Sequence, residues 1–88
     1  MRLDDQTLLP LIEAMATGDA TVLPRFIEET GPWIHGAALR TTRSTVAAGV
    51  LVEAVLSELW RTAPLYDRHQ GRPGTWILAV ARALTGDD

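Results

Sequence analysis

The sequence has no cysteine, no lysine and no asparagine among its 88 residues. Without cysteine, disulfide bonds and thiolate metal sites are excluded, and a cytosolic protein is the simpler expectation. The apolar runs fall short of the ~18 residues that a membrane-spanning helix needs. The first residues, Met-Arg-Leu-Asp-Asp, place two acids where a signal peptide has an apolar segment. We therefore expect neither a membrane partner nor a signal peptide.

Residues that usually carry catalysis are also scarce. His35 and His69 are the two histidines, and they lack the spacing of a metal-binding pair. Ser44 and Ser57 lack the glycine neighbours of a nucleophile elbow. The glycine-rich segment 71–74 lacks the lysine and the hydroxyl of a phosphate-binding P-loop. The sequence therefore predicts no enzyme, no metal ion, no cofactor and no small-molecule substrate.

The composition is that of a globular chain, with 47% hydrophobic and 22% charged residues. Its length predicts a single domain over residues 1–88. A net charge of −3 argues against a protein that simply coats nucleic acid. However, residues 61–86 hold four arginines and His69 against the single acid Asp67. The last third of the chain is thus locally basic. Arginine without lysine suits phosphate contacts, although GC-rich coding is the simpler explanation of that bias.

Apolar residues recur at helical spacing along nearly the whole chain, and no segment alternates like a β-strand. Asp4 or Asp5, Thr21 and Ser44 are predicted N-caps, and Gly18 is predicted to end the first helix. The segment 30–32, Thr-Gly-Pro, is predicted to separate the second helix from the third. The predicted helices span residues 5–17, 21–30, 32–42, 44–63 and 75–84. We expect an all-α fold, a compact bundle of four to five helices.

The predicted helix 44–63 is apolar over most of its circumference, which favours a place in the middle of the bundle. Its one consistent polar stripe consists of Gly49, Glu53, Ser57 and Arg61. Two tryptophans lie in apolar helical patterns, and we predict that they are core residues rather than exposed platforms for base stacking. The predicted core side chains are Trp60, Trp76, Leu56 and Val80.

A polar loop before the last helix carries Arg68, His69, Gln70 and Arg72. Connecting loops are normally polar, so a solvated connector is one interpretation. Cationic side chains can also bind phosphates while Gln and Arg reach base edges. An aromatic residue on the adjoining helix could hold an unstacked base. The residues alone leave both interpretations open.

The run LYDRHQGRPGTWILAVARAL, residues 65–84, resembles region 2 of bacterial extracytoplasmic-function (ECF) sigma factors. The pattern of that family is aromatic-Asp-x-x-x-Gly, four residues, Trp, Leu or Ile, then Leu-x-Ile/Val-Ala-Arg. Upstream, GDATVLPRFIEETGPWIHGAALR resembles the opening helices of the same domain, and VLSELWR resembles the end of its long helix. The resemblance covers roughly residues 8–87, and the order and spacing of its motifs are more specific than any one of them.

The resemblance implies a helical domain that binds the clamp helices of core RNA polymerase and that reads and opens the promoter −10 element. Residues of the long helix would face polymerase, namely Glu53, Ser57 and Arg61. Residues of the loop and last helix would face DNA, namely Arg68, His69, Gln70, Arg72 and Arg82. Such a domain should place Arg61, Arg68, Arg72 and Arg82 on one connected surface.

Two departures from the family pattern keep alternatives open. The segment 49–54 reads Gly-Val-Leu-Val-Glu-Ala where the family has Asp-Asp/Glu-Leu-Val-Gln-Glu, and Asp87-Asp88 stand where a basic stretch is expected. We also expect no second, region 4 domain. One alternative is a degenerate negative effector that occupies a sigma factor, an anti-sigma factor or polymerase without reading DNA. A further alternative is a small helical protein-interaction module that uses an exposed apolar patch.

Overall fold

The computed structural model describes residues 3–85, and within that range it contains four α-helices and no β-strand. The helices are α1 (Asp5–Ala16), α2 (Leu23–Thr42), α3 (Thr45–Thr62) and α4 (Pro73–Thr85). Short 3₁₀ turns at Ala20–Val22 and Ala63–Leu65 precede α2 and follow α3. The prediction of an all-α bundle is confirmed. None of these helices combines the length and the apolar character needed to cross a bilayer.

The ends of α1 and the start of α3 follow the predicted capping residues. The Asp4 carboxylate accepts a hydrogen bond from the Gln6 backbone N–H at 3.0 Å. Gly18 lies just after α1 with a φ of 86°, a conformation that glycine adopts without steric cost. The Ser44 hydroxyl oxygen accepts from the Ala47 N–H at 3.2 Å. Local capping chemistry is thus sufficient to set these three boundaries.

The predicted break at residues 30–32 is wrong, because α2 continues through Pro32. The buried face of α2 crosses this point: Phe26, Thr30 and Ile34 are each at most 1% exposed. The Thr30 hydroxyl donates to the Phe26 carbonyl at 2.7 Å, so it is satisfied in the core. Pro32 cannot donate to the carbonyl of Glu28, but both residues are exposed and water can replace that bond. Burial of this face outweighs the lost hydrogen bond.

The predicted cap at Thr21 is also wrong. Thr21 lies inside the 3₁₀ turn, and Asp19 caps that turn by accepting from the Thr21 N–H at 3.0 Å. Hydrogen bonds from the Thr21 hydroxyl and N–H hold the pKa of Asp19 below its usual value. Pro24 falls in the first turn of α2, where its missing N–H is harmless.

The core lies where α1, α2, α3 and α4 meet. Its fully buried side chains include Leu8, Ile12, Phe26, Leu59 and Ile77. The four side chains predicted for the core, Leu56, Trp60, Trp76 and Val80, are half-buried and pack around this cluster.

The prediction that α3 lies in the middle of the bundle is wrong for one of its faces. Ala48, Val55 and Leu59 are buried where α3 packs against α2 and α4. On the opposite face, Val46 and Val50 are 80% and 65% exposed. The other three helices among residues 3–85 are too few to surround α3, so part of its apolar circumference faces solvent.

Arg43 joins α2 to α3 in the left-handed region, with a φ of 55°. A side chain is disfavoured there, whereas glycine is not. We expect Arg43→Gly to raise the free energy of unfolding by about 0.5–1 kcal/mol, measured from urea melts followed by circular dichroism. Arg40→Gly is the matched control, because Arg40 lies inside α2 and glycine there should lower stability by about 1 kcal/mol. Destabilisation by both variants would contradict the assignment of strain to Arg43.

Candidate nucleic-acid interface and partner surface

The loop between the second 3₁₀ turn and α4 is ordered by its own hydrogen bonds. The Tyr66 hydroxyl donates to the Gly71 carbonyl at 2.8 Å, which ties the start of the loop to its end. Asp67 accepts from the His69 N–H through its side chain and from the Gln70 N–H through its carbonyl. Hydrogen bonds within the chain therefore define the shape of the segment that carries the cationic side chains.

Tyr66 also anchors the loop to α4. Its ring lies 5.1 Å from the ring of Trp76, measured between centroids, at an angle of 41°. Burial, followed by the nearby charges of Asp5 and Asp67, raises the pKa of Tyr66 above its usual value. A tyrosine hydroxyl is protonated at neutral pH even without this shift, so it can donate to Gly71. The half-buried Trp76 supports the loop through Tyr66.

Three of the predicted DNA-facing residues line one groove. Arg68, His69 and Arg72 form its loop side, and Asp5 and Gln6 of α1 lie across from them. The groove has a volume of about 320 Å³, and Leu9, Tyr66, Gly71 and Pro73 complete its lining. We call it the loop groove. It combines two cationic donors, Arg68 and Arg72, with an apolar interior, an arrangement that can hold a phosphate and a base together.

The other two predicted DNA-facing residues lie outside the loop groove. Gln70 is exposed in the loop and does not line it. Arg82 lines a second groove of about 460 Å³ between α2, α3 and α4, together with Arg40. Of the four arginines expected on one connected surface, Arg68 and Arg72 share a groove, Arg82 lines another, and Arg61 lies on α3.

The polar stripe predicted on α3 is exposed along its length. Glu53, Ser57 and Arg61 all face solvent. The Arg61 guanidinium donates to both carboxylate oxygens of Glu58, at 2.9 and 2.6 Å, and this hydrogen bonding lowers the pKa of Glu58. By helical periodicity, Val46 and Val50 fall between these residues on the same face. We call this surface the α3 face, and it mixes two exposed valines with one isolated acid, Glu53.

The sequence alone gave no signal for the α1 side of the loop groove. Asp5 and Gln6 are some 60 residues from the loop, and Asp5 was interpretable only as a helix-capping residue. The carboxylate of Asp5 lies 3.8 Å from the Arg72 guanidinium. Among residues 3–85 no cluster of His, Asp and Glu is arranged to hold a metal ion. Asp87 and Asp88, which replace the expected basic stretch, lie outside the described residues.

Comparisons with known proteins agree with the all-α fold. The family model for sigma-70 region 2 matches residues 26–87. The ECF RNA polymerase sigma factor SigK of Mycobacterium ulcerans is 30% identical over 86 residues, covering 98% of this chain and 45% of SigK. SigK from Mycobacterium bovis and from Mycobacterium tuberculosis is 25% identical over 77 residues, covering 88% of this chain and 41% of the relative. The chain thus spans less than half the length of these relatives. No solved structure matches significantly.

Proposed function

Because the chain belongs to the sigma-70 region 2 family, we propose that it acts in bacterial transcription initiation as a binding domain without catalysis of its own. In this proposal the α3 face contacts the clamp helices of core RNA polymerase. The loop groove and α4 contact the promoter −10 element. The names of the matched relatives, ECF RNA polymerase sigma factors, agree with this assignment.

The observation that carries the proposal is the loop groove. Arg68, His69 and Arg72 surround an apolar space that is open to solvent, and the loop is held in shape by Tyr66. Guanidinium groups bind phosphate oxygens and thereby fix the register of a strand. An unstacked base of that strand can then enter the groove against Tyr66 and Leu9. A solvated connector has no need of such a cavity.

Arg82 supplies a second point of contact in the proposal. It lies with Arg40 along the second groove, near the end of α4 that is farther from the loop. A strand that leaves the loop groove along α4 could place a further phosphate near these two cations. Nucleic-acid affinity depends strongly on such contacts, so binding should weaken as salt is raised.

The proposed polymerase contact rests on the α3 face. Glu53, Ser57 and Arg61 are exposed there as the family resemblance implies. The exposed valines Val46 and Val50 make this contact less dependent on charge than an acidic stripe would be. The experiment is binding of the chain to bacterial core RNA polymerase, with a full-length sigma factor as competitor. Saturable binding that the competitor abolishes is expected; no binding at high micromolar concentration would contradict the polymerase contact.

Restoring the acidic pair of the family pattern at positions 49 and 50 is a second test of polymerase binding by the α3 face. A side chain at position 49 would meet nothing within 4 Å, and Val50 is 65% exposed, so Gly49→Asp with Val50→Glu should fold. We expect about tenfold tighter binding to core polymerase, because charge complementarity raises the rate of association. Leu65→Glu with Ala79→Asp adds the same charge at exposed positions outside α3 and should have little effect.

A specific observation also favours a second candidate function. The exposed Val46 and Val50 make the α3 face partly apolar. Such a face suits a partner protein that binds through apolar contacts and does not require acidic residues, as polymerase does. A negative effector would use this face to occupy a sigma factor or an anti-sigma factor without reading DNA. Weaker polymerase binding by Gly49→Asp with Val50→Glu, together with no DNA binding by the parent chain, would favour this candidate. A purely protein-binding helical module would bind neither polymerase nor DNA.

A further inference from the structure

The loop groove has a second wall that the loop does not provide. The first two turns of α1 contribute Asp5, Gln6 and Leu9 to its lining. Asp5 is the one carboxylate among the residues that line this groove, while the loop side consists mainly of donors. Its side chain is 39% exposed, and that of Arg72 is 84% exposed, so a ligand can reach both. The groove therefore presents a strong acceptor beside strong donors.

We propose that Asp5 selects the base that enters the loop groove, favouring cytosine and adenine, whose amino group adjoins an unprotonated ring nitrogen, over thymine or uracil. The proposal rests on the DNA-binding role above and names the class of nucleotide that the same site accepts. A volume of about 320 Å³ lies at the small end of ligand pockets, which suits one base rather than a stack.

The spacing of Asp5 and Arg72 matches the edge of an amino-bearing base. The Asp5 carboxylate oxygen and the Nε of the Arg72 guanidinium are 3.8 Å apart. Cytosine presents an amino donor next to a ring-nitrogen acceptor, and adenine does the same. Asp5 can accept from the amino group while one of the five N–H groups of Arg72 donates to the ring nitrogen, and the others remain available to a phosphate. Both hydrogen bonds involve an ionised partner, which makes them stronger than neutral ones.

Uracil and thymine cannot make this pair of contacts equally well. Their one ring N–H lies between two carbonyl oxygens. If that N–H donates to Asp5 and one carbonyl oxygen accepts from Arg72, the other carbonyl oxygen is brought beside the carboxylate whichever way the ring enters. An acceptor that faces an acceptor in a partly desolvated groove loses affinity, because neither group is satisfied. The carboxylate thus acts mainly by rejecting the bases that lack an amino group.

The surrounding structure fixes the position of Asp5. Asp5 is the first residue of α1, and the preceding residue, Asp4, caps the helix. The first turn of α4 lies against it, since a side chain at Gly74 would come within 3.9 Å of its carboxylate. The carboxylate is therefore held between α4 and Arg72 at the edge of the groove.

The test measures binding of the 88-residue chain at low salt to oligothymidine that carries one central deoxycytidine or one central deoxyuridine. These two bases differ in the amino group and the adjoining ring proton, without a change in ring size. We expect the cytidine probe to bind about tenfold more tightly, because a carbonyl oxygen of uracil would face the Asp5 carboxylate without a donor between them. Asp5→Asn should bring the two affinities within about twofold of each other, because an amide can donate to a carbonyl or accept from an amino group.

Asp5→Ala and Glu28→Gln complete the set of variants. Asp5→Ala removes the acceptor and should also abolish the preference. Glu28→Gln changes charge equally at an exposed position on α2 and should keep the tenfold preference. Equal binding of both probes by the parent chain, or a preference that survives both Asp5 variants, overturns the proposal while DNA binding stands. An equal gain in affinity for both probes with Asp5→Asn would also overturn it, because Asp5 would then only compete with phosphate for Arg72. No binding of either probe overturns the DNA-binding role as well.

Discussion

Replacing Arg68 and Arg72 together with alanine is expected to weaken binding of single-stranded −10 DNA by about 30-fold. Both side chains line the loop groove, and each charged hydrogen bond to a phosphate contributes substantially to affinity. The slope of log affinity against log salt should fall by roughly 1.4, because each contact to a single strand accounts for about 0.7. Fluorescence anisotropy over a series of salt concentrations measures both quantities.

The matched control for this pair is Arg25→Ala with Arg43→Ala. These two arginines are exposed on and just after α2, outside the loop groove, and their removal changes the net charge by the same amount. The control should lose only a small part of the affinity through the general field of the protein. Equal DNA affinity of the two double variants would mean that binding depends on the total charge of the protein. The loop would then be a solvated connector.

Truncation of Phe26 to alanine is expected to remove about 3–5 kcal/mol of folding free energy. Phe26 is 1% exposed and is among the largest buried side chains of the core. A domain of this length has only about 4–13 kcal/mol of stability in total. The variant should therefore be close to unfolding at physiological temperature. Urea denaturation followed by circular dichroism gives the midpoint and the free energy.

Ile27→Ala is the control for Phe26→Ala, because Ile27 is the next residue of the same helix and is 44% exposed. Ile27→Ala should lower the free energy of unfolding by well under half as much as Phe26→Ala, because it removes less buried apolar surface. Equal losses in the two variants would mean that the face of α2 that contains Phe26, Thr30 and Ile34 is not the one that packs in the core. That outcome would also remove the explanation for the continuity of α2 through Pro32.

Sequence periodicity and capping chemistry predicted most of the fold because both act locally. Asp4, Gly18 and Ser44 set helix ends through bonds to residues two to four positions away. The error at Pro32 arose because local propensity was opposed by burial of Phe26 and Ile34, which is a property of the assembled bundle. The proline is visible in the local sequence, but the tertiary contacts that compensate for its missing hydrogen bond are not.

The exposure of α3 was mispredicted for a related reason. An apolar circumference indicates burial only if enough neighbouring helices exist to cover it. The second and third predicted helices form one helix, α2, so the bundle has fewer packing partners than the sequence suggested. Val46 and Val50 remain exposed as a result.

For the candidate site, the sequence predicted the loop residues but not the groove. Arg68, His69 and Arg72 are close in sequence, so their clustering is visible as a motif. Asp5 and Gln6 line the groove only because the folded chain places the start of α1 beside the loop. Such a contact between distant segments has no local signature. The residue proposed to select the base is therefore one that a motif could not reveal.

The hydrogen bond from Tyr66 to the Gly71 carbonyl has a consequence for the thermodynamics of complex formation. Fixing one residue of a flexible loop costs about 1–2 kcal/mol of conformational entropy. In this domain the residues from Tyr66 to Gly71 are ordered when the chain folds, so a DNA strand does not have to order them when it binds. The entropic penalty of binding then falls mainly on the strand, whose bases must unstack. Association should accordingly be faster with DNA that is already melted than with duplex.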